Sequence, residues 1–364
     1  WLLERGGNLD TYCQAVLLTA PPELTTDTLT ATLQTVLDHH DMLRARLHRG
    51  HTDDDTVLEI PPAGTTAAAP LITRIAVRTH PDTDLAAMAQ TQLDAAAHRL
   101  DPENGIMLQL VWLDPHTEPG HLLLTIHHLA TDGVSWRILI PDLATAHHAH
   151  TTGTTPTLPP TTTSARTYTH ALTDTSTHRT HELPHWHTIL TTPDPPLGTR
   201  PLDPTHDTEN TAHHTTLDLP PHTTHTLLTT LPTTYHCGIE DALLTALALA
   251  VTTWRHRHHT PTHTLLVNIE GHGRNDPLIP AADLTRTIGW FTTIHPVLLD
   301  LTDIDLDDAL AGGPATGQAL TAIKEQLRTT PDHGTGYGPL RYLNPHTATQ
   351  LRNLPQPHIT LNYL

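Results

Sequence analysis

Cysteine is nearly absent from this chain. Cys13 and Cys237 are the two present in 364 residues, and they lie far apart. They provide neither a disulfide framework nor a soft-metal cluster, which makes a reducing, cytoplasmic compartment the default expectation. Lysine is scarcer still. Lys324 stands alone in a segment, Leu320 to Leu327, with amphipathic-helix spacing, so a solvated lysine is expected and most of the case for a pyridoxal-phosphate Schiff base disappears. Cations are short overall: 19 Lys plus Arg face 38 Asp plus Glu, for a formal charge of -19. The longest basic-looking patch, Arg255 to His259, is mostly neutral imidazole at pH 7, so no nucleic-acid surface is expected. No apolar run is long enough to cross a bilayer and no basic segment precedes a leader-like one, so no membrane is expected either.

Length and periodicity permit two ordinary domains. Alternation through Tyr12, Gln14, Val16 and Leu18 predicts a first strand. Leu29, Leu33, Val36 and Leu37 mark a helix face, and Leu43, Ala45 and Leu47 a short strand after His39 and His40. Further strands are predicted at Val57 to Ile60, Leu71 to Val77 and Ile106 to Leu113, with a helix from about Thr83 to His98. The Thr, Pro and His tract from His147 to Thr163 reads as a linker or surface loop. A lobe boundary near residue 175 gives domains of 1–175 and 176–364. In the second, strands are expected at Thr211 to Leu219, Leu265 to Ile269, Thr293 to Leu299 and His358 to Leu364. Helices are expected around His222 to Leu231, Asp241 to Trp254 and Leu306 to Leu327.

The chemistry concentrates in residues 121–143, HLLLTIHHLATDGVSWRILIPDL. Leu122 to Ile126 predicts a buried strand delivering His127 and His128 at its C-terminal end. Gly133 permits a tight turn, and Trp136, Ile138, Leu139 and Leu143 open a helix. Neighbouring strand residues face opposite ways, so one histidine is structural and the other is free to act. A bare pair would carry little weight among 33 histidines.

Later segments add to it. Glu270, Gly271, His272, Gly273 and Arg274 end a strand in a glycine-flanked turn, where the carboxylate is either catalytic or part of a loop salt bridge. Trp290 and Phe291, the latter the sole phenylalanine, precede an alternating run and read first as core. Three glycines surround Tyr337 without the lysine and hydroxyl of a P-loop or the spacing of a dinucleotide fingerprint.

The arrangement of two histidines, three variable residues, Asp and Gly resembles the histidine motif of the condensation-domain superfamily of nonribosomal peptide synthetases. GVSW, NIEGHGR, TIGWFTTIHPVLL, the GTGYG loop and the terminal LNYL resemble its epimerization branch. The resemblance implies an α/β fold of two lobes like chloramphenicol acetyltransferase, with a channel between them. It implies that His128 and Glu270 are the catalytic acid/base pair, and that His127, Asp132, Gly133 and Arg274 are structural or orienting, Asp132 pairing with an arginine. Trp136, Trp290, Tyr337, Asn362 and Tyr363 are then expected along the channel or near the intermediate. The implied activity is L-to-D epimerization at Cα of an aminoacyl or peptidyl thioester. The domain itself would bind no cofactor and no metal, the substrate riding on the phosphopantetheine of an upstream peptidyl carrier protein, with a condensation domain downstream. A condensation domain and an inactive carrier-binding scaffold are the alternatives; racemization by paired cysteines finds no support around Cys13 and Cys237. Pro141 departs from the acidic residue common in the family. Leu361 replaces an aromatic, and the second lobe is expected to be truncated at its end.

Overall fold

The computed structural model describes residues 2–5, 9–50, 56–77, 84–116, 119–203, 205–274 and 282–363. The expected helix start at Thr83, residues 117 and 118 of the turn before the histidine motif, and the terminal Trp1 and Leu364 lie outside them. The chain divides into two compact units that interleave: Trp1–Ala171 joins His272–Thr292, and Leu172–Gly271 joins Thr293–Leu364.

The first unit is built on its most apolar segment. β5 (Leu108–Asp114) is buried along its whole length, and it lies between β6 (His121–His127) and β4 (Ile72–Ala76). β6 runs antiparallel to β5, and β1 (Cys13–Thr19) antiparallel to β6, in the order β1-β6-β5-β4. Helix Leu85–Ala97 covers one face, burying Ala96 against Val111, Leu113 and Leu123. Helix Thr26–His39 packs against helix Gly133–Thr152 and buries Leu29, Leu33, Val36 and Leu37. Each such leucine contributes about 1.5–3 kcal/mol by leaving water. β2 (Arg46–His48) and β3 (Val57–Glu59) form a separate hairpin.

The second unit carries β7 (Thr264–Gly271), flanked by antiparallel β8 (Thr293–Asp300) and parallel β9 (Ile359–Asn362). Helices Ile239–Arg257 and Pro314–Arg328 close its main core, where Leu244, Ala248, Val267, Leu299, Ala319 and Ile323 are buried. A second cluster gathers Trp186, Leu266, Tyr337, Leu340 and Leu351. No single helix among the described residues is long and apolar enough to span a membrane.

Four segments differ from the sequence expectation. Leu43 lies in a 3-10 turn, Asp41–Arg44, because buried Arg44 donates to the carbonyls of Leu37 and Asp38 and curls the chain. The tract expected as a linker from His147 begins as helix: Pro141 is accommodated, and the helix stops at Gly153, whose φ of 69° makes the left-handed cap. Thr211 to Leu219 makes no strand. Leu217 is 82% exposed, and no described segment pairs with it. The single helix expected from Leu306 is two, Leu306–Leu310 and Pro314–Arg328.

Candidate active site

β6 ends at His127 and the chain turns through His128–Ala130 into helix Gly133–Thr152. His127 is fully buried. Its Nε2 donates to the Leu9 carbonyl at 2.8 Å and its Nδ1 accepts the Leu129 amide at 3.2 Å. Both ring nitrogens are spent on backbone, and burial pushes the imidazole pKa down, so His127 is a neutral structural group.

His128 is half-buried, its backbone amide donating to the Tyr12 carbonyl at 2.8 Å. Tyr12 stacks on its ring at 4.9 Å and an 11° interplanar angle, and Trp290 lies against it at 4.4 Å. Nε2 faces the Gln14 side-chain nitrogen at 3.1 Å, while Nδ1 is buried without a full hydrogen bond among the described residues. Burial lowers the His128 pKa, against weaker upward pulls from nearby backbone carbonyls and the Asp132 carboxylate. The ring is therefore neutral near pH 7 and able to accept a proton.

Asp132 fixes the turn. It caps helix Gly133–Thr152, its Oδ1 accepting the Ser135 amide at 2.8 Å. It also takes Arg274 Nη2 at 3.0 Å on Oδ1 and 3.1 Å on Oδ2, and the Phe291 amide at 3.2 Å on Oδ2. Arg274 and Asp132 expose 6% and 4% of their side chains. Arg274 also donates to the carbonyls of Leu284 and Thr287 and lies 4.3 Å over the Phe291 ring. These bonds, with Arg286 on Asp142 and Thr287 on the Thr163 carbonyl, hold residues 282–292 to the first unit. Gly133 is an ordinary helical residue whose added Cβ would meet nothing within 4 Å, so the turn that glycine was expected to permit does not depend on glycine there.

Glu270 is the last residue but one of β7 in the second unit, opposite Asn362 of β9. Burial pushes its pKa up, and Asn362 Nδ2 donates to Oε1 at 2.8 Å. The chain then turns at Gly273, with φ 66°. Tyr363 is 44% exposed. Tyr337 is a core residue, 3% exposed beside Trp186, with its hydroxyl donating to Gln356 at 3.4 Å. The glycine loop before it is a packing device: Gly334, at φ 82°, comes so close to His295 that a Cβ would lie 2.1 Å from the ring.

His39, His40 and Asp142 are close enough to hold an ion. Arg286 and His40 already occupy the Asp142 oxygens, and a guanidinium beside the carboxylate opposes a second cation. Sequence reasoning missed Gln14, Tyr12 and Ser135. Its available signal was a polar Gln14 inside an otherwise apolar strand.

Comparison with known proteins places these groups in a wider context. Residues 3–364 match the condensation-domain family. A linear gramicidin synthase of Brevibacillus parabrevis is 36% identical over 96% of this chain, and surfactin synthase subunit 1 of Bacillus subtilis (strain 168) is 31% identical over all of it. The chain spans 6% and 10% of those two proteins' own lengths. Among solved structures, the epimerization domain from the third module of tyrocidine synthetase B superposes with a TM-score of 0.74 at 27% identity, covering 96% of this chain and 74% of that one. The first condensation domain of the CDA synthetase shares the fold, with a TM-score of 0.64 at 15% identity over 98% of this chain and 77% of that one. With its histidine turn capped by Asp132 and with a family match that runs almost end to end, this chain belongs to the condensation-domain family.

Proposed function

We propose that the chain epimerizes the Cα centre of an aminoacyl or peptidyl thioester, L to D, in nonribosomal peptide synthesis. The observation that carries this reading is Glu270: a half-buried carboxylate with a raised pKa, near the C-terminal end of its own strand, beyond what amide-bond formation at His128 requires. The similarity to a tyrocidine synthetase epimerization domain supports it.

Inversion needs a proton removed from one face of Cα and another delivered to the opposite face. In the proposed arrangement the two units are lobes flanking a channel, with His128 on one wall and Glu270 on the other. Neutral His128 takes the Cα proton with its Nε2 lone pair, leaving an imidazolium, and the C–H electrons pass into the thioester carbonyl as an enolate. Protonated Glu270 then gives its proton to the opposite face of Cα. The site is left as imidazolium and carboxylate, and returns to its starting state by exchanging a proton with solvent. The two pKa shifts suit these roles, since burial favours a neutral base and a neutral acid.

No cofactor takes part in this scheme. The phosphopantetheine arm belongs to an upstream peptidyl carrier protein, which presents the substrate, and a downstream condensation domain receives the product. Asn362 sets the Glu270 carboxylate, and Tyr363, Trp290 and Trp136 shape the channel; buried Tyr337 supports its wall through packing. The setting is cytoplasmic. The test is to load an L-aminoacyl thioester on the carrier in deuterated water and follow Cα configuration and deuterium uptake. Inversion with uptake is expected. Amide formation with an added acceptor amine, without uptake, would instead establish a condensation domain, and carrier binding with neither reaction an inactive scaffold.

A further inference from the structure

Gln14 lies on β1 beside the histidine turn, and a tryptophan determines how its amide points. The Trp136 indole can only donate, and its Nε1 lies 2.8 Å from Gln14 Oε1. That contact fixes the other end of the amide as the NH2 group, which faces His128 Nε2 at 3.1 Å. An amide NH2 has no lone pair to offer, so Nε2 must accept and the ring proton belongs on Nδ1. Tyr12 and Trp290 pack on the ring, which keeps Nε2 aligned with the amide.

We propose that Gln14 is the positioning residue of His128: held by the Trp136 indole, its amide selects the neutral tautomer with the proton on Nδ1 and the lone pair on Nε2. This rests on the reading of His128 as the proton-accepting group, and it adds which nitrogen accepts and what poises it. Once Nε2 is protonated, two donors face each other, so the imidazolium is disfavoured and the proton is readily passed on. The same contact keeps the resting site in its basic form, and the amide has to turn away from the Nε2 lone pair before that nitrogen takes the Cα proton. The charged and titratable groups around the ring are Asp132, already paired with Arg274, together with neutral His127 and the Tyr12 phenol. None of them replaces the donor at Nε2.

The test is histidine-selective ¹³C/¹⁵N NMR on the whole chain, with the His128 resonances identified by their loss in His128→Asn. In the unaltered protein Nε2 should carry the shift of an unprotonated ring nitrogen and Nδ1 that of a protonated one. Gln14→Glu puts a carboxylate where the amide was, and should raise the His128 pKa by about one unit or more, moving the acidic limb of the pH–rate profile by the same amount. Trp136→Phe frees the amide to present its oxygen and should produce a smaller shift in the same direction. A proton found on Nε2 of the unaltered protein overturns the proposal whether or not the Gln14 and Trp136 variants fold. So does a folded Gln14→Glu protein in which His128 titrates where it did before. Should the tautomer be as stated while carrier-bound thioesters are not inverted, the functional reading falls and the assignment of Gln14 stands.

Discussion

Around His128 nearly every contact is itself held by another. Tyr12 and Trp290 pack on the ring, Gln14 is fixed by Trp136, and Asp132 accepts from Ser135, Arg274 and Phe291 within a buried network. Around Glu270, among the described residues, the carboxylate takes its hydrogen bond from Asn362, itself exposed beside exposed Tyr363. The difference suits the two proton transfers proposed above. A base that must keep one nitrogen aligned benefits from a rigid frame, whereas a carboxylate has two equivalent oxygens and tolerates a looser one. Function and stability should therefore separate: the Glu270 end carries chemistry at little structural cost, and the His128 end carries both.

The largest effect expected is on rate. Glu270→Gln should reduce inversion on the order of 10²-fold to 10⁴-fold while moving the urea midpoint little, since a half-exposed strand end is not a structural anchor. A large loss of stability in that variant would erase the contrast. Arg274→Ala should strike stability as well, leaving Asp132 buried without its cation at a cost of about 3–5 kcal/mol, read from urea unfolding. A smaller but distinctive effect belongs to His295, buried under the glycine loop, whose pKa is pushed down from 6.5 to about 4 by burial, with His333 adding to the shift. The sign follows from the unfolded chain taking up the proton first: stability is intact above pH 6.5 and declines as pH falls towards about 4, by about 3 kcal/mol. His295→Gln should flatten that slope. Glu270 acts in the opposite direction, its raised pKa favouring the folded state at low pH and losing that contribution as pH rises through the raised value. The smallest effect expected is from Asn362→Leu. Removing a donor to the ionised carboxylate should raise the Glu270 pKa by a fraction of a unit, visible as an upward displacement of its carboxyl ¹³C titration.

What could be read from the sequence follows from the range of the interactions. β5, β6 and β7 announce themselves as apolar runs, and the histidines at and just after the end of β6 and Glu270 near the end of β7 come with them. The partnership of Gln14 with His128 spans 114 positions and exists because β1 pairs with β6 in the register Cys13 with His127; a polar Gln14 among apolar neighbours marks the residue, but nothing local names its partner. Thr211 to Leu219 shows the opposite failure. Its composition favours a strand, but a strand is completed by a neighbour, and no described segment supplies one. Helix Gly133–Thr152 ends where Gly153 adopts a left-handed turn, a cue more specific than the threonine and proline content that suggested a linker from His147.

The interleaving of the two units sets a timetable during synthesis. Ala171 ends the first part of the unit that carries His128, yet the segment that completes it begins at His272, directly after Gly271 of β7. At about 5–20 residues per second, the ribosome needs on the order of 10 s to bridge that interval. Until then the nascent histidine turn has Asp132 but lacks Arg274 and Phe291. The frame around His128 is thus locked only after the strand bearing Glu270 has been made, and Asn362, which donates to Glu270, follows later still.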